Sequence, residues 1–146
     1  MKWKRLYWIP VILLIGFIFS NSLSDGETSG GLSAALTLRI YPLFEWMHLP
    51  LSFSAVHHLI RKLAHFSEFF LLSVFSQLAQ HFSPLPLKDN TVLLILMILI
   101  PSVDETIQLF VPGRAGMIQD VLLDMSGFAL AWLFGMILCY LIQKRS

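Results

Sequence analysis

The sequence predicts an all-α protein, a polytopic membrane helical bundle of about four transmembrane helices plus an outer interfacial helix. Three observations lead there. Of the 146 residues, 56% are hydrophobic and only 13% charged, where a soluble domain carries about 25% charged residues. The mean hydropathy is strongly positive, at +0.73. Long apolar runs recur four times along the chain, and a helix needs ~20 such residues to cross a bilayer. A net charge of +1 offers no positive excess for nucleic acid, and no glycine-rich phosphate loop occurs, so no nucleic-acid partner is expected. Cys139 is the single cysteine, which excludes a disulfide framework or a cysteine-rich zinc site within the chain. No internal repeat is evident, and residues 1–146 read as one domain.

The first apolar run, Leu6 to about Phe19, follows Lys2, Lys4 and Arg5. It is short, and with Ser20 and Ser22 behind it the segment also fits a cleaved signal peptide. Trp3, Tyr7 and Trp8 favour a retained helix, because such rings anchor at the membrane interface. Next comes "SNSLSDGETSGG", rich in Ser, Gly and acids, which reads as a solvated turn. Apolar residues return from Leu32 to Met47, interrupted by Arg39, Pro42 and Glu45. That pattern fits an amphipathic helix lying at the outer interface rather than a crossing. The second span is Val56 to Phe82, the third Thr91 to about Val111, and the fourth Gln119 to Ile142. Basic residues cluster before the first span, at Lys88 between the second and third, and at Lys144 and Arg145 after the fourth. The bias of Lys and Arg toward the cytoplasm then places both termini there. The location expected is the bacterial cell membrane, crossed several times.

With that topology the ionisable residues of three spans fall at one depth. Arg61, Lys62, His65 and Glu68 head the second span; Asp104, Glu105 and Gln108 end the third; Asp120 and Asp124 open the fourth, after Arg114 in the connecting loop. Arg61, His65 and Glu68 are spaced four and three apart, and so share one helical stripe. Asp120 and Asp124 continue into Gly127, Ala131 and Gly135, a small-residue ridge of the kind that packs closely on a neighbouring helix. Both aspartates therefore point into the bundle. Pro101 stands one turn before Asp104 and removes a backbone bond there. An unpaired Asp, Lys or Arg at the centre of a membrane helix costs ~2.5–3.5 kcal/mol. Glu68, Asp104, Glu105 and Asp124 must therefore be paired with Arg61 and Arg114, hydrated in an outward-facing cavity, or bound to a metal. His48, His57, His58 and His81 sit near the water boundaries and read as solvated; Trp46 and Phe110 read as belt residues.

"RKLAHFSEFFLLS" followed by "DETIQLFVPGRAGMIQDVLLDMSG" resembles the VanZ-like family of small bacterial membrane proteins. The Ser-rich "FSNSLSDGETSGGLS" after the first span is similar to the family's as well, so the resemblance covers nearly the whole chain. By that resemblance the motif positions are Arg61, Lys62, His65, Glu68, Asp104, Glu105, Gln108, Arg114, Asp120 and Gly127. Asp124 departs from the pattern, standing where Asn is usual. The resemblance implies a link to glycopeptide resistance, through lowered susceptibility to teicoplanin.

The leading functional expectation is action on a lipid headgroup or lipid-linked cell-envelope precursor at the outer leaflet. His65 and Glu68 are suited to proton transfer, and Arg61 and Arg114 to holding a phosphate in fork geometry. Asp104, Glu105 and Asp120 suit a hard divalent cation; His65 and Glu68, at i and i+3, suit a transition metal. His65, Glu68, Asp104, Glu105 and Asp120 are the candidate catalytic residues. Arg61, Lys62, Gln108, Arg114 and Asp124 are the candidate substrate-binding residues. No serine or cysteine of the two blocks stands out as a nucleophile, which favours an activated water. Two other readings use the same residues: an accessory protein that binds a lipid or precursor without turnover, and a structural ion-pair network. A channel finds less support, because "LLILMILI" and "LAWLFGMILCYL" offer no polar path.

Overall fold

A computed structural model describes residues 2–87 and 89–144. Lys88 and Arg145, two of the basic residues that set the expected orientation, lie outside the described residues, as do the side chains of Lys2, Trp3, Lys4 and Glu27. The described residues form a short 3-10 stretch, Lys2–Trp8, and five α-helices: α1 (Ile9–Leu23), α2 (Gly26–Trp46), α3 (Phe53–Phe82), α4 (Asp89–Gln108) and α5 (Ile118–Gln143).

Local chemistry accounts for several boundaries. Pro10 lies in the first turn of α1, where a missing N–H costs nothing. Ser52 caps α3 by accepting the Ala55 N–H at 3.2 Å, which satisfies one of the four orphan donors of a helix start. Pro84 follows the end of α3 and cannot extend it. At the end of α2, His48 adopts φ 53°. The His48 and Leu49 N–H groups fold back to the carbonyls of Glu45 and Phe44, the paired bonds of a Schellman ending.

Among the described residues three helices are long and apolar enough to cross a membrane: Arg5–Leu23, Asn90–Gln108 and Ile118–Gln143. α3 is longer, at 30 residues, yet more polar, because it is the helix that the others surround. It touches α1, α2, α4 and α5, and its most extensive contact is with α5. Ser73, Ser76 and Gln80 on it are buried, while Leu59, Leu63, Leu71 and Leu78 form an exposed apolar stripe. The core gathers Val11 and Ile18 of α1, Phe69, Leu72 and Ala79 of α3, Leu93 and Ile100 of α4, and Phe128 of α5.

The small-residue ridge of α5 faces α3, as its spacing predicts. A Cβ on Gly127 would meet the Phe66 carbonyl oxygen, and one on Gly135 would overlap the Gln77 side chain. Gln77 also donates to the Ala131 carbonyl at 3.1 Å. α2 differs from expectation. It begins at Gly26, inside the stretch read as a solvated turn, and runs antiparallel to the start of α3: Ser33 meets His57, and Tyr41 meets Phe53. The physical reason is a long-range contact. The Gly26 N–H donates to the Pro112 carbonyl at 3.2 Å, and Gly26 touches the Gly113 backbone so closely that a Cβ would not fit. The turn is thereby confined to two residues.

Candidate functional site

The C-terminal end of α1, the first half of α3, the end of α4 and the start of α5 meet at one end of the bundle. Contacts across the chain fix this. Ser22 on α1 donates to Asp104 on α4 at 2.6 Å, and Asn21 donates to Glu68 on α3 at 3.2 Å. At the opposite end Trp8 donates to the Ser83 carbonyl at 2.9 Å, and Tyr7 stacks on Phe82. The ionisable residues that the sequence places at one depth are thus brought together by the fold.

Asp104 is fully buried. Beyond Ser22 it accepts a bond from Gln108 Nε2 at 3.1 Å on its other oxygen. Gln108 shares that amide with Glu105, at 3.0 Å, so the three α4 positions form one stripe as their spacing implies. The other Glu105 oxygen accepts the Met117 N–H at 2.9 Å, which anchors the start of α5. Lys62 forms an ion pair with Asp120, tying α3 to the first turn of α5. Asp124, the position that departs from the motif, is completely buried, and neither of its carboxylate oxygens has a hydrogen-bond partner.

Arg114 does not pair with a carboxylate through a direct hydrogen bond. Its Nε and Nη2 donate to the carbonyls of Ser24 and Asn21, at 3.0 and 2.6 Å. The guanidinium thereby satisfies the last carbonyls of α1, where a helix dipole is negative. Partial burial pulls its pKa below the ordinary arginine value, opposed by Asp104, Glu105 and Glu68; an arginine remains a cation throughout the physiological range. Arg61 is exposed.

Two cavities, of about 240 and about 270 Å³, adjoin this end and share Arg61, His65 and Arg114 as wall residues. Asn21, Glu68, Leu36 and Ile60 complete much of the first. Gln108, Met117 and Asp120 contribute to the second. His57 meets Ser33 at 2.7 Å, and Ser33 lines the first cavity. His57 therefore stands at the edge of the site rather than in solvent alone.

Several of the acids that the sequence suggests as metal ligands are engaged within the protein. Glu105 is held by Gln108 and the Met117 N–H, Asp120 by Lys62, and Glu68 by Asn21. Instead, one atom each of His65, Asp104 and Asp124 lies within 4.8 Å of the others. The sequence reading also assigned no role to Asn21, Ser22 and Ser24. Their signal was present in the Ser-rich stretch at the end of the first span, which enters the polar end because α1 and α4 finish beside each other.

A bundle of apolar helices around one polar helix, with a walled group of acids, arginines and an imidazole at one end, defines a membrane protein with a polar site in its core. The chain belongs to the VanZ/LLP1 family, whose model matches residues 7–142. No curated protein and no solved structure matches it.

Proposed function

We propose that the chain binds the anionic headgroup of a membrane lipid or lipid-linked cell-envelope precursor in the first cavity, and acts on it there. The observation that carries this reading is the composition of the cavity wall. Arg61, Arg114, His65 and Glu68 line it together with Leu36 and Ile60. Two guanidinium groups suit phosphate oxygens, an imidazole and a carboxylate suit proton movement, and aliphatic side chains suit the start of an acyl or prenyl chain. In this reading Lys62, Gln108, Glu105 and Asp120 position the wall, since each is already engaged with another part of the protein. Both termini face the cytoplasm of a bacterial cell, so the cavity opens toward the outer leaflet. A glycopeptide-resistance role follows if the occupant is the precursor on which such antibiotics act.

The test is a lipid and cell-wall-precursor profile of membranes from a bacterial host making the chain or its Glu68→Gln variant at matched level. Glutamine keeps an oxygen to accept the Asn21 bond, so the fold is retained while the titratable group is lost. A pool that shifts only with the unmodified chain is the expected result, accompanied by lowered teicoplanin susceptibility if the precursor is the occupant. A shift with both would replace turnover by binding. No shift with either would overturn the reading in favour of a structural ion-pair network.

A further inference from the structure

The polar end gathers five carboxyl groups, Glu68, Asp104, Glu105, Asp120 and Asp124, and three cationic side chains, Arg61, Lys62 and Arg114. One of those cations is committed to Asp120, and Arg114 directs two of its donors at backbone carbonyls. Asp124 is fully buried, with both oxygens unpartnered. A buried charge left in that state is among the costliest arrangements a protein can hold. Beside it stand His65 and Asp104, contributed by two other helices, with one atom of each of the three residues within 4.8 Å of the rest. His65 Nδ1 is likewise buried without a partner. Three side chains on α3, α4 and α5 thus bring possible ligand atoms together, and among the described residues the Asp124 oxygens and His65 Nδ1 have no hydrogen-bond partner.

We infer that His65, Asp104 and Asp124 form a binding site for a divalent transition-metal cation of the Zn²⁺ class. One imidazole and two carboxylates are a ligand set for such an ion rather than for Mg²⁺ or Ca²⁺, which take oxygen ligands throughout. Asp104 is already oriented by Ser22 and Gln108, the kind of outer hydrogen bonding that fixes a metal ligand in place. Three protein ligands leave at least one position on the ion open. His65 also lines both cavities. The site does not depend on the lipid reading, because it is fixed by helix packing alone.

The test uses the full chain purified in detergent, stripped with a chelator and titrated with Zn²⁺ in a calorimeter. The expected result is one ion per chain, with affinity at least about tenfold weaker in Asp124→Asn and in His65→Gln. His81→Gln, at the other end of the bundle, binds as the unmodified chain does. Gel-filtration profile and thermal midpoint identify any variant that does not fold, and the other ligand variant then decides. Failure of the unmodified chain to bind Zn²⁺ stoichiometrically overturns the inference. So does undiminished binding in both ligand variants, which would mark adventitious capture by surface histidines. Either failure leaves the lipid profile of the Glu68→Gln experiment standing or falling on its own result.

Discussion

A Cβ added at Gly127 would lie 2.5 Å from the Phe66 carbonyl oxygen and 3.3 Å from its ring. Backbone cannot retreat as a flexible side chain can, so Gly127→Ala must push α5 away from α3. Overpacking of this kind costs about 1–3 kcal/mol. The expected outcome is a lowered thermal midpoint in detergent. Gly16, on α1, has nothing within 4 Å of its added Cβ, and Gly16→Ala should hold or raise the midpoint through helix propensity alone. Displacing α5 also moves Asp124 relative to His65, so Gly127→Ala should weaken Zn²⁺ binding without touching a ligand. Asp124 itself shows what one residue can alter. Standing where the resemblance makes Asn usual, it places a carboxyl group at a fully buried position where neither oxygen has a hydrogen-bond partner.

Among the elements, α3 is the one whose sequence misleads a hydropathy scan, and the reason is physical. Lys62, Glu68 and Gln77 on it contact α1 and α5, so its average falls below that of a lipid-facing span even though it stands in the middle of the bundle. The spacing of Arg61, His65 and Glu68, and of the Gly127–Ala131–Gly135 ridge, was enough to give the faces of α3 and α5, because periodicity survives where average hydropathy does not. The start of α2 was not legible, since a Ser- and Gly-rich stretch carries no local sign of the Pro112 carbonyl that receives the Gly26 N–H. The convergence of His65 with Asp104 and Asp124 was also beyond reach: it depends on the rotation of three helices about their axes, and spacing within each helix constrains only its own stripe. Arg114 joins two of these elements, since its fork holds the α1–α2 turn against the α4–α5 loop. Arg114→Lys keeps the charge and loses the paired geometry. It should cost about 1 kcal/mol, and hydrogen–deuterium exchange should rise together in residues 21–26 and 109–117. A rise confined to the loop would show that the clamp does not couple the two.

For the molecule as a whole, helix length gives the depth of the site. A 30-residue α3 rises about 45 Å, well beyond the ~30 Å hydrocarbon core. Trp8 and Tyr7, aromatic anchors of the kind found at membrane surfaces, sit against Ser83 and Phe82 and mark one boundary. From Phe82 back to Glu68, His65 and Arg61 the helix climbs about 21, 26 and 32 Å. On the proposed orientation Glu68 and His65 would fall within the opposite half of the hydrocarbon core, with Arg61 near its boundary, and the rest of α3 runs on beside α2. The first cavity meets both polar and aliphatic walls at that depth, with Leu36 and Ile60 beside Arg61 and His65. An amphiphile that fits such walls reaches them by diffusing sideways in the bilayer, its tail never leaving the lipid. Its effective concentration is then a mole fraction in a two-dimensional solvent. Diluting a lipid ligand with inert detergent at constant total amount should weaken its capture, while changing the volume of buffer at a fixed lipid-to-detergent ratio should not. A water-soluble phosphate would show the reverse dependence, and that contrast separates an occupant delivered by the membrane from one delivered by the medium.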